Sequence, residues 1–173
     1  MESTTLHGTR LRWLNVIDEF TRMCLTTKVS RSITSEDAID TLAELFSMYG
    51  VPKMLRSNNG PKFMAKAIQQ WLNRLSIQTL YIEPGSPWQN GVCESFNGKF
   101  RDEYLQLSEL VSVAGARLKA RQWQDDYNRV RPHSSLGYLT PNEFAARCAD
   151  SVPFAAFTPL HQHSENSIPL PIS

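Results

Sequence analysis

The stretch RLRWLNVIDEFTRMCLTTKV, residues 10–29, decides the fold class of this chain. Its second half places Met23, Leu25, Thr27 and Val29 alternately with more polar neighbours, which is the period-two pattern of a half-buried strand. The first half, residues 10–18, also reads as a strand, and only the short link at 19–21 separates it from the second strand at 22–29. The stretch therefore predicts an antiparallel β-hairpin.

Helices and strands alternate after this hairpin. Thr34 and Asp37 stand at capping-box spacing before an apolar helical face, and Gly50 suits the C-terminal end of that helix. The later predicted elements are a strand at 53–56, a helix at 64–75, a strand at 77–82, a helical pattern from Trp88 that carries Glu94, and a helix at 114–130. This order predicts an α/β sheet flanked by helices.

The composition fits one ordinary domain. The chain has 173 residues, 41% of them hydrophobic and 20% charged, which excludes a disordered chain. No apolar run is long enough to span a membrane, and three distant cysteines predict reduced thiols in a cytoplasmic protein. We expect residues 1–150 to form the domain and residues 151–173, which hold four prolines, to form an irregular tail.

Positive charge is concentrated in the middle of the chain. Residues 51–101 carry seven basic and two acidic side chains, a net charge of +5, whereas residues 1–50 carry five and seven, a net charge of −2. A local excess of this size suits a polyanionic partner such as DNA. A solvated basic face is the alternative, and charge alone favours it.

Several motifs together resemble a known family. SNNGPKF at 57–63 follows a predicted strand, PWQNG at 87–91 leads into Glu94, and DYNRVRPHSSLGY occupies 126–138. Asn58 and Glu94 are separated by 94 − 58 − 1 = 35 residues. With LNVIDEFTR at 14–22, the chain resembles the catalytic core of insertion-sequence transposases. The most similar type is the B-frame transposase with retroviral-integrase-like, DDE-type chemistry.

This resemblance implies an RNase-H-like mixed sheet flanked by helices, together with DNA cleavage and strand transfer. In the family, two aspartates and a glutamate hold two Mg²⁺ or Mn²⁺ ions, which stabilise the attacking and leaving oxygens. The resemblance places the catalytic and metal-binding positions at Asn58 and Glu94. It also implies DNA partners, namely transposon ends and target, and a homo-oligomer.

The chain departs from the family pattern where the metals bind. Asn58 replaces the second aspartate, Lys62 replaces a usual glutamate, and the first aspartate would precede Met1, along with most of the first, central strand. The formal charge of the metal ligands falls from −3 to −1, so we expect at most one weakly held metal and no useful strand transfer. Asp18 is expected to be a hairpin carboxylate and not a substitute ligand.

Other residues near the expected site are candidates for DNA contact. They flank the two catalytic positions and are Asn59, Gly60, Lys62, Trp88, Gln89, Asn90, Lys99 and Arg101. For Trp88 a core position is an equal alternative, and for Lys99 and Arg101 a solvated helix face is almost equal. Arg129, Arg131 and His133 are expected to cap and pack more than to contact DNA, and Trp123 and Tyr127 to lie in the core.

Three functional hypotheses remain open from the sequence. The chain is a disabled transposase core, a fragment of an active transposase whose N-terminal part lies upstream, or a non-enzymatic DNA-binding module that inhibits an intact transposase. An upstream coding sequence that supplies the first aspartate would favour the second hypothesis. A lack of effect on an active relative would exclude the third.

Overall fold

The computed structural model describes residues 1–57, 65–82 and 91–151. The predicted tail lies outside these ranges, apart from its first residue. The strands are β1 (Glu2–Thr4), β2 (Arg10–Ile17), β3 (Cys24–Ser30), β4 (Met54–Ser57) and β5 (Gln78–Tyr81). The α-helices are α1 (Ser35–Tyr49), α2 (Lys66–Arg74), α3 (Gly91–Lys99), α4 (Val113–Arg129) and α5 (Pro141–Ser151). A π-helical turn, Phe100–Leu105, extends α3, and a short 3-10 turn covers Ser134–Leu136.

The predicted hairpin is present. β2 and β3 pair antiparallel, with Trp13 opposite Val29, and a register shift lies between Val16 and Ile17. The strand predicted to begin at Arg22 begins at Cys24 instead, because Asp18 accepts hydrogen bonds from Thr21 and tightens the turn before it. The local pattern therefore predicts which two strands pair but not the length of the turn between them.

The five strands form two separate sheets, and β1 and β4 belong to different ones. β1, β2 and β3 form one antiparallel sheet, and β4 and β5 form a separate parallel pair. On the β1 side, the last backbone bonds to β2 join Met1 and Trp13, at 2.9 and 3.2 Å. Within the described ranges no strand runs beside Asn15 and Ile17 on that side. The part of the expected first strand that the chain contains is β1, Glu2–Thr4, which pairs antiparallel with β2.

Two apolar layers cover the opposite faces of β2. Leu11 and Trp13 point into a cluster with the π-helical turn and α4, whereas Leu14 points into a cluster with α1 and α2. Successive strand residues point to opposite faces, so this alternation buries β2 on both sides. The result is the helix–sheet–helix layering that the sequence predicts.

The first layer is rich in aromatic rings. Phe100 lies within 5.2 Å of the rings of Trp13, Trp123 and Tyr104, centroid to centroid, and Phe96 contacts Tyr127 at 5.0 Å. Trp123 and Tyr127 are buried, as predicted. This layer holds α3 against the sheet and so determines where Glu94 lies.

Helix caps explain two of the boundaries. At α1, Thr34 accepts a hydrogen bond from the amide of Asp37, and the Asp37 carboxylate accepts one from the Thr34 amide, so the predicted capping box is confirmed. Thr140 and Glu143 form a second capping box at the start of α5, a helix that was not predicted from the sequence. No helix within the described ranges is both long and apolar enough to cross a membrane.

Candidate nucleic-acid and metal site

Glu94 is exposed on one face of α3, and another face of this helix packs against the core. Phe96 and Phe100 are buried in the aromatic layer and anchor the helix. The two glycines, Gly91 and Gly98, do not break it, because tertiary packing overrides their poor helix propensity of about 1 kcal/mol each. The prediction of a helix carrying Glu94 is confirmed within the described residues.

A polar contact fixes α3 relative to β2. The side-chain amide of Asn15 donates to Asn97 Oδ1 at 3.0 Å. Glu94 lies one helical turn before Asn97, so both side chains project from the same side of α3. Glu94 therefore faces the region beside the open edge of β2.

The end of β4 approaches the same region. Arg56 forms an ion pair with Glu19 of the hairpin turn at 3.4 Å. The pKa of the Cys93 thiol is raised by burial and by the Glu19 carboxylate, lowered by Arg56, and raised by Glu94. These four side chains thus bring together the hairpin turn, the last residues of β4 and the first turn of α3. Ser57 ends β4, and Asn58 is the next residue in the chain.

Most of the predicted site residues lie outside the described residues. This applies to Asn58, Asn59, Gly60, Lys62, Trp88, Gln89 and Asn90, whose predicted roles therefore stay predictions. Glu94, Lys99 and Arg101 are described. Arg101 is exposed, whereas Lys99 points from a different face of the helix than Glu94 and lines a cavity.

The described residues do not fit a pair of metal ions. Among them, no three His, Cys, Asp or Glu side chains converge as a metal site would require. Asp18 accepts hydrogen bonds from Phe20 and Thr21 within its own turn, which is the role expected for a hairpin carboxylate. Asn58 and Glu94 stay predicted ligand positions; the side chain of Glu94 is a carboxylate, and that of Asn58 offers a neutral carbonyl oxygen.

A polar cavity borders α3 on another face. Its volume is about 520 Å³, and its lining includes Arg22, Ser95, Lys99, His133 and Tyr138. His133 is 7% exposed, and burial, followed by the charges of Lys99, Arg131 and Arg22, lowers its pKa to about 4. Sequence reasoning missed this site, because its residues come from segments more than a hundred positions apart. The single sequence signal was the family-like motif that contains His133.

Comparisons with known proteins agree with this geometry. Two family models, both described as integrase core domain, match residues 3–87 and 75–141. An uncharacterized protein of insertion element IS476 from Xanthomonas euvesicatoria is 39% identical over 150 residues, covering 84% of this chain and 43% of the relative. A protein of insertion element IS407 from Burkholderia multivorans is 39% identical over 141 residues, covering 82% and 51%. The chain spans about half the length of these relatives, or less.

Solved structures extend the comparison. The integrase catalytic core of HTLV-2, solved in complex with magnesium, has a TM-score of 0.63 at 17% identity and covers 83% of this chain and 90% of its own. The BIV integrase core has a TM-score of 0.61 at 21% identity and covers 87% and 93%. At this identity the likeness shows the fold, which is the RNase-H-like α/β fold predicted from the sequence.

The chain therefore has the fold seen in these integrase catalytic cores. The two family matches together span residues 3–141, and the chain belongs to the integrase core domain family, with relatives encoded by insertion elements. Both the family resemblance and the fold class stated from the sequence are confirmed.

Proposed function

We propose that this chain acts as a DNA-binding transposase core that cannot by itself join DNA strands. The proposal has two parts, which rest on separate observations. The basic segment at 51–101 supports DNA binding, and the ligand set at Asn58 and Glu94 supports the loss of strand transfer. The segment's net charge of +5 is the observation that carries the first part.

Four of the described basic side chains of this segment are available to a polyanion. Lys53, Lys66, Arg74 and Arg101 are exposed, and within the described residues they form no ion pair. Unpaired cations on one segment attract DNA phosphates and release counterions when they bind. We therefore propose weak, sequence-tolerant binding that falls steeply with salt.

The second part follows from the charge of the ligands. Two divalent ions about 3.5–4 Å apart need anionic oxygens between them to offset their repulsion. Within this chain Glu94 supplies one negative charge, and the amide at Asn58 supplies none. We propose that Glu94 holds at most one Mg²⁺ or Mn²⁺ ion weakly. The magnesium seen with the HTLV-2 core is a property of that protein.

Fluorescence anisotropy with labelled duplex DNA tests the first part. We expect binding at low salt that falls at least tenfold as the salt rises about fourfold. The double variant Lys66→Gln/Arg74→Gln should bind more weakly and with a smaller salt slope. The matched control Arg10→Gln/Arg121→Gln removes two exposed cations outside the segment and should change affinity less. Full affinity at high salt would contradict the proposal.

Self-association belongs to the same proposal, because the resemblance implies a homo-oligomer in the intact family protein. Analytical ultracentrifugation of the chain with and without DNA measures it directly. We expect a complex that contains more than one copy of the chain when DNA is present. A monomer under both conditions would contradict this part without affecting the DNA-binding part.

A further inference from the structure

The cavity beside α3 is separate from the face that carries Glu94. Gly91, Ser95 and Lys99 line it, and these residues are four positions apart, so they form one stripe along the helix. Arg22 contributes from the β2–β3 turn, and His133 from the segment after α4. A volume of about 520 Å³ lies within the range of roughly 300–1,000 Å³ found for ligand pockets.

The charges at this cavity are not balanced. Arg22 and Lys99 both line it, and neither forms an ion pair with any described residue. Nearby Arg131 differs, because Glu103 and Asp126 both pair with it. No aspartate or glutamate appears among the described lining residues. Two cations that face the same space without a counter-charge create a field that favours an anion.

His133 adds an unpaired polar group. It is buried to more than nine tenths, lines the cavity, and has no hydrogen-bond partner for Nε2 among the described residues. A buried nitrogen without a partner is costly, so such groups in proteins are nearly always satisfied. In the tautomer that carries the proton on Nε2, the ring offers a neutral donor beside two cations.

Backbone strain is concentrated at the same place. Three described residues other than glycine have a positive φ, namely Arg22 at 63°, Ser76 at 56° and Tyr138 at 62°. Two of these three, Arg22 and Tyr138, line the cavity. Strained backbone persists only where the surroundings enforce it, and it clusters at ligand sites. Tyr138 is also 76% exposed, so its ring is free to contact a ligand.

We propose that this cavity binds one nucleotide of an unpaired DNA strand, with its phosphate between Arg22 and Lys99 and its base against the ring of Tyr138. Arginine, lysine and serine side chains are the usual donors to DNA phosphates, and Ser95 and Ser135 also line the cavity. Exposed aromatic rings stack on unpaired bases regardless of sequence. The inference rests on the proposed DNA-binding function and assigns it a second, defined contact.

Anisotropy with a labelled single-stranded oligonucleotide tests this contact. Arg22→Gln and Lys99→Gln should each weaken binding about tenfold and lower the salt slope by about one. The matched control Arg121→Gln removes an exposed arginine of α4 that does not line the cavity, and it should leave affinity within about twofold. Circular dichroism checks that each variant folds, and Lys99→Gln, on a regular helix, guards against a misfolded Arg22 variant.

Tyr138 separates the base contact from the phosphate contact. Tyr138→Ala should weaken binding to the single strand about five- to tenfold and leave binding to duplex DNA unchanged, because paired bases do not expose their faces. Wild-type affinity of Arg22→Gln and Lys99→Gln for the single strand would overturn the inference. An equal loss for single strand and duplex in Tyr138→Ala would overturn the base contact.

A titration with inorganic phosphate distinguishes failure of this inference from failure of the proposed function. NMR signals of the His133 ring should shift in a saturable way, and the shift should be lost in Arg22→Gln. If the wild-type chain binds no DNA, the proposed function fails, and a shift at His133 would still support the anion site. If His133 does not respond to phosphate, the anion site fails, whether or not DNA binds elsewhere.

Discussion

The side chain of Asn128 pairs with both backbone groups of Cys24. Its Oδ1 accepts from the Cys24 amide at 2.9 Å, and its Nδ2 donates to the Cys24 carbonyl at 2.9 Å. Both residues are buried and lie 104 positions apart in the chain. The amide of Asn128 thus acts as a one-residue strand that joins α4 to the first residue of β3.

Replacing Asn128 should destabilise the protein. Asn128→Leu leaves a buried N–H without an acceptor, and we expect a loss of about 2–3 kcal/mol in the free energy of unfolding, measured by urea denaturation. The Cys24 carbonyl still accepts a hydrogen bond from Gln124 at 2.9 Å. The loss of stability should therefore be smaller than if both the amide and the carbonyl of Cys24 lost their partners. Gln122→Leu, at an exposed position of the same helix, is the control and should change stability by less than about 0.5 kcal/mol.

The aromatic layer should be sensitive to truncation. Phe100 is 0% exposed and packs against Trp13, Tyr104 and Trp123. Phe100→Ala should lower the free energy of unfolding by about 3–5 kcal/mol through lost burial and a new cavity. Leu118→Ala, at a position 62% exposed, should have a much smaller effect. Similar losses for the two variants would show that the layer is not the main core.

The lowered pKa of His133 predicts a pH dependence of stability. Its pKa falls from 6.5 to about 4, first because of burial and then because of Lys99, Arg131 and Arg22. Between these values the unfolded chain binds a proton that the folded protein does not. The free energy of unfolding should therefore decrease as the pH falls from about 6.5 to about 4, by no more than about 3 kcal/mol from this group.

Variants isolate this effect from other titrations. His133→Gln should remove the acid-dependent loss, whereas His7→Gln, which changes an exposed histidine, should retain it. Melting temperatures at about pH 7 and about pH 4.5 make the comparison. Equal acid sensitivity in wild type and His133→Gln would show that protonation of His133 does not lower the free energy of unfolding.

Local patterns in the sequence were sufficient for most helices and strands. The alternation around Leu25, the cap at Thr34 and the apolar stripe of Trp123 and Tyr127 each depend on neighbouring residues, so they could be interpreted directly. The separation of β1 from β4 could be anticipated only through the family resemblance, because strand order depends on contacts between distant segments. The π-helical turn after Lys99 carried no visible signal.

The candidate site was predicted in part for the same reason. Glu94 and its helix followed from a motif with fixed spacing. The contact of Arg56 with Glu19, and the approach of Arg22 to His133, depend on how separate turns pack in three dimensions. Arg22 has a positive φ directly after the turn in which Asp18 accepts hydrogen bonds, and residue type alone does not predict this φ.

A nicking and strand-transfer assay with Mn²⁺ tests the central claim most directly. The assay compares three proteins on the same DNA substrate. They are the unmodified chain, Asn58→Asp, and Asn58→Asp carrying an added strand with an aspartate ahead of Met1. We predict product only from the last protein, because it alone restores three carboxylates for two metals. Product from the unmodified chain that Glu94→Gln abolishes would contradict the account.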